Sequence, residues 1–419
     1  MNWTIHNIHD GAFGMGCRVK VADYLREFDA NNTVLIYDHI MRKLGYLEEM
    51  EAIIRSSGAA CHSYQAQGEE PTSSGVDAFV EFCRENGADS VVALGGGSTM
   101  DTAKLTGKVL ANGGSVLDYL GGYTELAIGK RVFKPIICVP TTAGTGSESC
   151  WGIMCLNENT SIKTYTRHPV TRAVVDPYYC MKLPAYITAY TGMDALAQCA
   201  ECLVNTYAMP NMMADMLSRE GLAAAVKYLP KAVHDPDDEK AREMMSWAAM
   251  VSGYAITLRK TSSGHAIANQ ISDNYHLPHG VGVGCGMAAL ARYNVTGDPE
   301  TVRIWAPYFG VECTAESDMQ EVGWEVVKRL DALQKDIGMK SMKELGIPED
   351  FCDYAADMIS KDKKWNIVPK VPDFELLRAS PAQVLGLLKI KNIEHKRRIC
   401  EMTASPVRAC GHYLLSVVD

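Results

Sequence analysis

The chain has 419 residues, 47% of them hydrophobic and 22% charged, enough for two to three domains with apolar interiors of their own. Its formal net charge of −9 speaks against nucleic acid or an anionic membrane as the main partner. The longest apolar runs, such as VGVGCGMAALA at 281–291, fall short of the ~18 residues that a membrane span requires.

The N-terminal stretch MNWTIHNIHDGAFGMG has neither the basic nor the apolar region of a signal peptide. The 14 cysteines follow no framework spacing, so free thiols in a reducing cytoplasm are expected. GMGCRV at 14–19 starts like a dinucleotide fingerprint but lacks its third glycine, so an ordinary Rossmann fold is not expected.

Over the first ~180 residues, short apolar runs alternate with helical patterns. NTVLIYD (32–38), SVVALGGG (90–97) and KPIICVPTT (134–142) are continuous β-branched or aliphatic runs, as in parallel strands covered on both faces. Asp38 ends the first run. A carboxylate there is either a helix cap or an acceptor for both ribose hydroxyls of NAD.

ALGGGSTMDTAK (93–104) reads as strand, glycine turn and helix start. Gly95, Gly96 and Gly97 let the backbone approach a phosphate. Ser98 and Asp101 have the spacing of a capping box, and the helix start suits a pyrophosphate. A tight turn without a ligand would read the same way. PTTAGTGSES (140–149) repeats the theme after the next strand, with Thr141, Thr142, Thr145 and Ser147 supplying hydroxyls. Two such loops at the carboxyl ends of parallel strands mark the edge where open sheets bind ligands.

From about residue 183 the period becomes helical, through 183–204, 211–228, 239–257, 281–294, 321–337 and 381–390. The expected architecture is an α/β dinucleotide-binding domain with a parallel sheet (1–185) followed by an all-helical domain (186–419) that holds metal and substrate. Asp194 and Gln198 stand at i and i+4 on one helix face. His265 belongs to another helical segment, and His279, after Pro278, opens the next. One carboxylate and two imidazoles from three segments would leave an open position on a catalytic divalent metal. Read singly, each histidine is more often a hydrogen-bonded core or surface residue. Arg259 and Lys260 belong either to a solvated helix face or to a cleft that receives an anionic substrate. Cys199 and Cys202 form a CxxC that a packed helix would bury as small apolar residues.

GGGSTMDTAK, PTTAGTGSES, VVDPYYCMKLP (174–184), TGMDAL and HLPHG occur in this order, and together they resemble the iron-containing (group III) alcohol dehydrogenases over roughly residues 10–295. The resemblance implies the iron alcohol dehydrogenase (dehydroquinate synthase-like) fold, an NAD cofactor, and Fe2+ or Zn2+ bound by Asp194, His265 and His279. It implies NAD contacts from Asp38, Gly96, Gly97, Ser98, Thr141, Thr142 and Thr145, with Asp101 and Lys163 beside them. Two positions depart from the family pattern. Gln198 stands where the family usually has a histidine; its amide oxygen is a poorer ligand than imidazole but is expected to complete or border the metal shell. Asn269 stands where a second histidine is common. It is expected to line the cleft without acid–base function, which leaves His276 as the nearest candidate for proton transfer.

The expected activity is NAD(H)-dependent, metal-assisted alcohol oxidation or reduction of a small aldehyde, neutral or anionic, by a cytoplasmic homodimer or higher homo-oligomer. The alternatives are a metal-independent reductase of the same fold, maleylacetate reductase-like, and a nucleotide-binding protein that has lost catalysis. DKKWNIVPKVP (362–372) is expected to cap the cleft.

Overall fold

The computed structural model describes residues 10–67, 70–121, 135–205, 211–297, 299–348 and 351. The predicted helix at 381–390 and the predicted cap at 362–372 lie outside the described residues.

Six parallel strands form one sheet: β1 (Gly11–Phe13), β2 (Asn32–Tyr37), β3 (Ala60–Gln65), β4 (Ser90–Gly95), β5 (Ile136–Pro140) and β8 (Arg172–Val175). Their spatial order is β1-β8-β5-β4-β2-β3. The three central strands are the three apolar runs, and side-chain alternation explains why they read as continuous. Leu35, Tyr37, Val92, Leu94, Ile137 and Val139 point to one face, where they pack on α1 (Lys20–Glu27) and α3 (Tyr46–Ser56). Val34, Ile36, Val91, Ala93, Ile136 and Cys138 point to the other, against α4 (Ser73–Glu85) and α5 (Gly97–Asn112). Both faces are covered, so the runs from Val34, Val91 and Ile136 onward are apolar throughout.

The chain leaves β2 toward β3 on one side and leaves β4 toward β5 on the other. The carboxyl ends of β2 and β4 therefore flank the point where the winding direction reverses, the usual ligand position in open α/β sheets. Asp38 lies at the end of β2, beside a four-residue helix, α2 (Ile40–Lys43). Its amide donates to the carbonyl of Leu94 at 3.1 Å, which places it next to the end of β4. An antiparallel hairpin, β6 (Gly152–Asn157) with β7 (Ile162–Arg167), adds a feature that the apolar runs do not announce.

From Ala185 onward the regular elements among the described residues are helices: α6 (Ala185–Val204), α7 (Met212–His234), α8 (Glu239–Arg259), α9 (Ser263–Tyr275), α10 (His279–Gly297), α11 (Pro299–Trp305) and α12 (Met319–Asp336). Helix α6 is the central rod, packed against α7, α8 and α10. Its small residues permit this close approach: a Cβ at Gly192 would run into Leu229 of α7, and Cys199 fills the space over Gly221. Glycines also join the two halves. Gly253 of α8 backs directly onto Gly146, in the loop after β5, and a Cβ on either would collide with the other's backbone. The threonine loop is thereby seated on the helical half. Among the described residues no helix is long and apolar enough to cross a membrane, and the described cysteines are free thiols.

Candidate metal and dinucleotide site

Helix α5 starts at Gly97 with Gly96 as its N-cap, in extended conformation and without a side-chain capping bond. The expected capping box of Ser98 and Asp101 does not form. Ser98 already lies inside the first turn. Asp101 instead accepts from the Ser147 hydroxyl (2.5 Å) and the Met154 amide (3.1 Å), and pairs with Lys104 at 2.8 Å. The physical reason is Lys104, whose fully buried ammonium donates to the carbonyls of Ser147, Cys150 and Gly152 and needs a carboxylate nearby. Without a capping side chain, the first-turn amides of α5 remain available to an anion.

The glycine turn and the threonine loop touch. The Thr141 amide donates to the Gly95 carbonyl at 3.1 Å. A Cβ on Gly96 would lie 3.5 Å from Thr142 Oγ1, and one on Gly97 only 2.8 Å from Thr145 Cγ2. The two candidate nucleotide loops therefore form one surface. At its edge Asp38 Oδ1 accepts from the Ile40 amide (3.1 Å) and faces His39 Nδ1 (3.0 Å). It thus starts α2 and still stands, half-buried, at the switch point. Lys163 of β7 pairs with Glu70 (2.7 Å) and with Asp273 of α9 (2.8 Å), tying the hairpin to the helical half.

Three helices deliver the second part of the site. Asp194 lies mid-way along α6, His265 in the first turn of α9, and His279 at the first position of α10. One ligand atom from each can be chosen so that all lie within 4.8 Å of one another. His265 Nε2 is 3.2 Å and His279 Nε2 3.9 Å from Asp194 Oδ1. Asp194 and His265 are buried, whereas the His279 side chain is 42% exposed and forms the open side of the cluster.

Behind His265 stands Glu201, two turns beyond Asp194 on α6 and fully buried. Its Oε1 is 2.7 Å from His265 Nδ1, and its Oε2 accepts from the Ser262 amide (2.6 Å), the Ser262 hydroxyl (2.8 Å) and the His265 amide (3.3 Å). A carboxylate on Nδ1 fixes the ring and turns Nε2 toward Asp194, the usual support of a metal-binding imidazole. Burial alone would lower the His265 pKa, but Glu201 and Asp194 outweigh it and push it up to about 10. Burial works against ionisation of Asp194 as well, yet His265, His279 and Gln198 hold its carboxyl below the ordinary value. Two imidazoles and a carboxylate, oriented from behind by a second carboxylate, fit a divalent cation.

Gln198 stands beside them with its amide nitrogen, not its oxygen, toward the cluster. Nε2 donates to Asp194 Oδ1 (3.1 Å) and lies 3.4 Å from the Thr145 carbonyl, while Oε1 accepts from the Ser252 hydroxyl at 2.6 Å. Asn269 is half-buried on α9. His276 is exposed and closes α9 in a left-handed conformation (φ 52°), so a helix-terminating role accounts for its position.

Arg259 corrects both readings of its position. It is neither solvated nor a cleft cation. Its guanidinium donates to the Asn205 carbonyl at 3.1 and 2.9 Å and pairs with Asp215 of α7. The residue most suggestive of an anionic substrate is therefore spent on internal bonds. Lys260 terminates α8 with φ 66°. Cys199 and Cys202 are fully buried, and burial raises both thiols, so the CxxC behaves as packing. Glu201, Ser252 and Lys104 were not anticipated. Glu201 had a signal, since Asp194, Gln198 and Glu201 at i, i+4 and i+7 share one face of α6.

The glycine-turn edge of the sheet and the carboxylate–imidazole cluster thus approach each other at the Thr145–Gln198 contact between the two halves. Family models for "Iron-containing alcohol dehydrogenase" and "Fe-containing alcohol dehydrogenase family, C-terminal" match residues 10–177 and 188–376. Alcohol dehydrogenase 4 of Saccharomyces cerevisiae is 30% identical over 346 residues, 81% of this chain and 87% of the relative. The NAD-dependent methanol dehydrogenase of Bacillus methanolicus is 29% identical over 85% of this chain and 93% of its own length. The crystal structure of sulfoacetaldehyde reductase from Bifidobacterium kashiwanohense in complex with NAD+ superimposes with a TM-score of 0.77 at 27% identity, covering 93% of this chain and 99% of the other. The chain belongs to the iron-containing alcohol dehydrogenase family and is an alcohol dehydrogenase, an oxidoreductase acting on alcohols or aldehydes.

Proposed function

We propose that the chain is an NAD(H)-dependent, metal-assisted alcohol dehydrogenase that works mainly as a reductase of small aldehydes. The observation that carries this reading is the convergence of Asp194, His265 and His279, with ligand atoms within 4.8 Å, beside the threonine loop. In this reading Asp194, His265 and His279 hold Fe2+ or Zn2+, Glu201 orients His265, and Gln198 orients Asp194. Gly95, Gly96, Gly97 and Ser98 present the N-terminus of α5 to the pyrophosphate, with Thr141, Thr142 and Thr145 alongside. Asp38 takes the ribose hydroxyls and disfavours a 2′-phosphate. Lys163, held by Glu70 and Asp273, borders the cleft next to His279.

When bound, the cation polarises the carbonyl oxygen as a Lewis acid and NADH supplies the hydride. The protein's own part is to hold both partners against each other. The loop that carries Thr145 is locked to α5 through Gly97 and to α8 through Gly146, so the sheet edge and the ligand helices keep one geometry.

A metal-free reductase has one observation in its favour: His265 lies between two carboxylates, 2.7 Å from Glu201 and 3.2 Å from Asp194, an arrangement that favours a positive charge on the ring without a metal. Metal analysis of the purified protein, with NADH oxidation measured on short aldehydes before and after chelation and on re-addition of Fe2+ or Zn2+, separates the two. Activity that tracks bound metal supports the proposal. Full activity at no bound metal defeats it.

A further inference from the structure

Gln198 lies one turn after Asp194 on α6, almost fully buried, and it touches both parts of the site. Its Nε2 faces Asp194 Oδ1 at 3.1 Å on one side and the Thr145 carbonyl at 3.4 Å on the other. A carboxylate and a carbonyl only accept hydrogen bonds, so reversing the amide would set oxygen against oxygen twice. The opposite end is pinned as well, because Oε1 takes the Ser252 hydroxyl at 2.6 Å. Thr145 in turn packs on Gly97, at the helix start that faces the dinucleotide edge. A continuous run of contacts thus leads from Gly97 through Thr145 and Gln198 to a metal ligand, Asp194.

We infer that Gln198 is a positioning residue that couples dinucleotide binding to metal affinity. The inference rests on the proposed function. A dinucleotide that fixes the loop at 141–145 fixes the Thr145 carbonyl. The amide then holds Asp194 Oδ1 in the direction it shares with His265 and His279. Coupling of this kind is reciprocal, so the metal must raise dinucleotide affinity by the same factor.

The test uses the full chain, stripped of metal, and measures the Zn2+ dissociation constant by competition with a chromophoric chelator, with and without saturating NAD+. The NAD+ dissociation constant is measured with and without Zn2+. In the unsubstituted protein the two coupling factors are expected to agree, within a range of about 5–150-fold. In Gln198→Leu the factor is expected to shrink at least about five-fold. Ser252 keeps the Ala249 carbonyl, 2.8 Å away, as an acceptor, so the substitution strands no donor there. Thermal melting of the metal-free protein checks folding. Should Gln198→Leu not fold, Ser252→Ala, which frees the amide oxygen but leaves Asp194 and Thr145 in place, is expected to lower the factor to an intermediate value. Zn2+ binding with the same factor in the parent and the folded variant overturns the inference and leaves the metal reading intact. Failure of the parent to bind Zn2+ at all overturns both.

Discussion

Glu201→Gln tests the metal site through a residue that is not itself a proposed ligand. Every group around the Glu201 carboxylate is a donor: the Ser262 amide and hydroxyl and the His265 amide at Oε2, and His265 Nδ1 at Oε1. An amide at this position has one oxygen and one NH2. Two of the donors at Oε2 are backbone N–H groups that cannot be reversed, so the new oxygen must stay there and the NH2 must face His265. The imidazole then keeps its proton on Nε2, because Nδ1 has to accept. Nε2 is the atom aimed at Asp194, 3.2 Å away, and a protonated nitrogen cannot bind a cation. Loss of such a supporting partner costs ~10–100-fold in metal affinity, or ~1.4–2.7 kcal/mol. Chelator competition for Zn2+ measures it, and NAD+ binding to the metal-free protein reports whether the nucleotide edge is intact. Zn2+ affinity unchanged from the parent protein would refute the tautomer reasoning outright. A loss of metal and NAD+ binding together would instead mark Glu201 as a general folding element.

Arg259→Met is expected to destabilise the fold by ~1–3 kcal/mol, the value of charged hydrogen bonds discounted for the partly exposed Asp215. It should leave the ratio of kcat/KM for anionic over neutral aldehydes unchanged; a drop in that ratio would return Arg259 to the substrate site. Gly97→Ala should weaken NAD(H) binding by ~1–3 kcal/mol, because the added methyl meets Thr145 at 2.8 Å, whereas Zn2+ binding without nucleotide stays near the parent value. Glu148 is fully enclosed, and burial pushes its carboxyl up to about 7. The unfolded carboxyl loses its proton near 4.5, so between pH 4.5 and 7 the folded state binds more protons and its stability falls as pH rises. This contribution is intact below 4.5 and gone above 7. Urea midpoints against pH should show that slope, and Glu148→Gln should flatten it.

The parts of the fold that could be read from the sequence are those whose environment is uniform. Beyond the polar starts Asn32, Thr33 and Ser90, β2, β4 and β5 are apolar because both faces of the sheet are covered. β3, by contrast, lies at the sheet edge and carries ACHSYQ, half-exposed along its length; β1 has three residues. Neither length nor period could announce them. Local rules failed where a distant partner won. Ser98 and Asp101 have capping-box spacing, but Asp101 is drawn to buried Lys104 and to Ser147, 46 residues away. Arg259 is drawn to Asn205 and Asp215, 54 and 44 residues back. His265 and His279 were expected on separate helices, and they stand there. What brings them to Asp194 is the packing of α9 and α10 on each other and of α10 on α6, which no spacing encodes.

The same helix shows why so much polarity is tolerated in a core. α6 buries Asp194, Gln198 and Glu201 on one face, among alanine, glycine and cysteine. Left unpaired, a buried carboxylate would neutralise or destabilise the fold. Each instead has its bonds completed by residues from other elements: His265 for Asp194, Ser252 and Thr145 for Gln198, Ser262 and His265 for Glu201. A core with apolar side chains in place of both this face and its side-chain partners would need none of these side-chain bonds. The polar face is therefore better explained by the site than by stability. Leucines on this face alone would leave the Ser262 and His265 amides without Glu201 Oε2, so they should lower the urea midpoint as well as abolish Zn2+ binding.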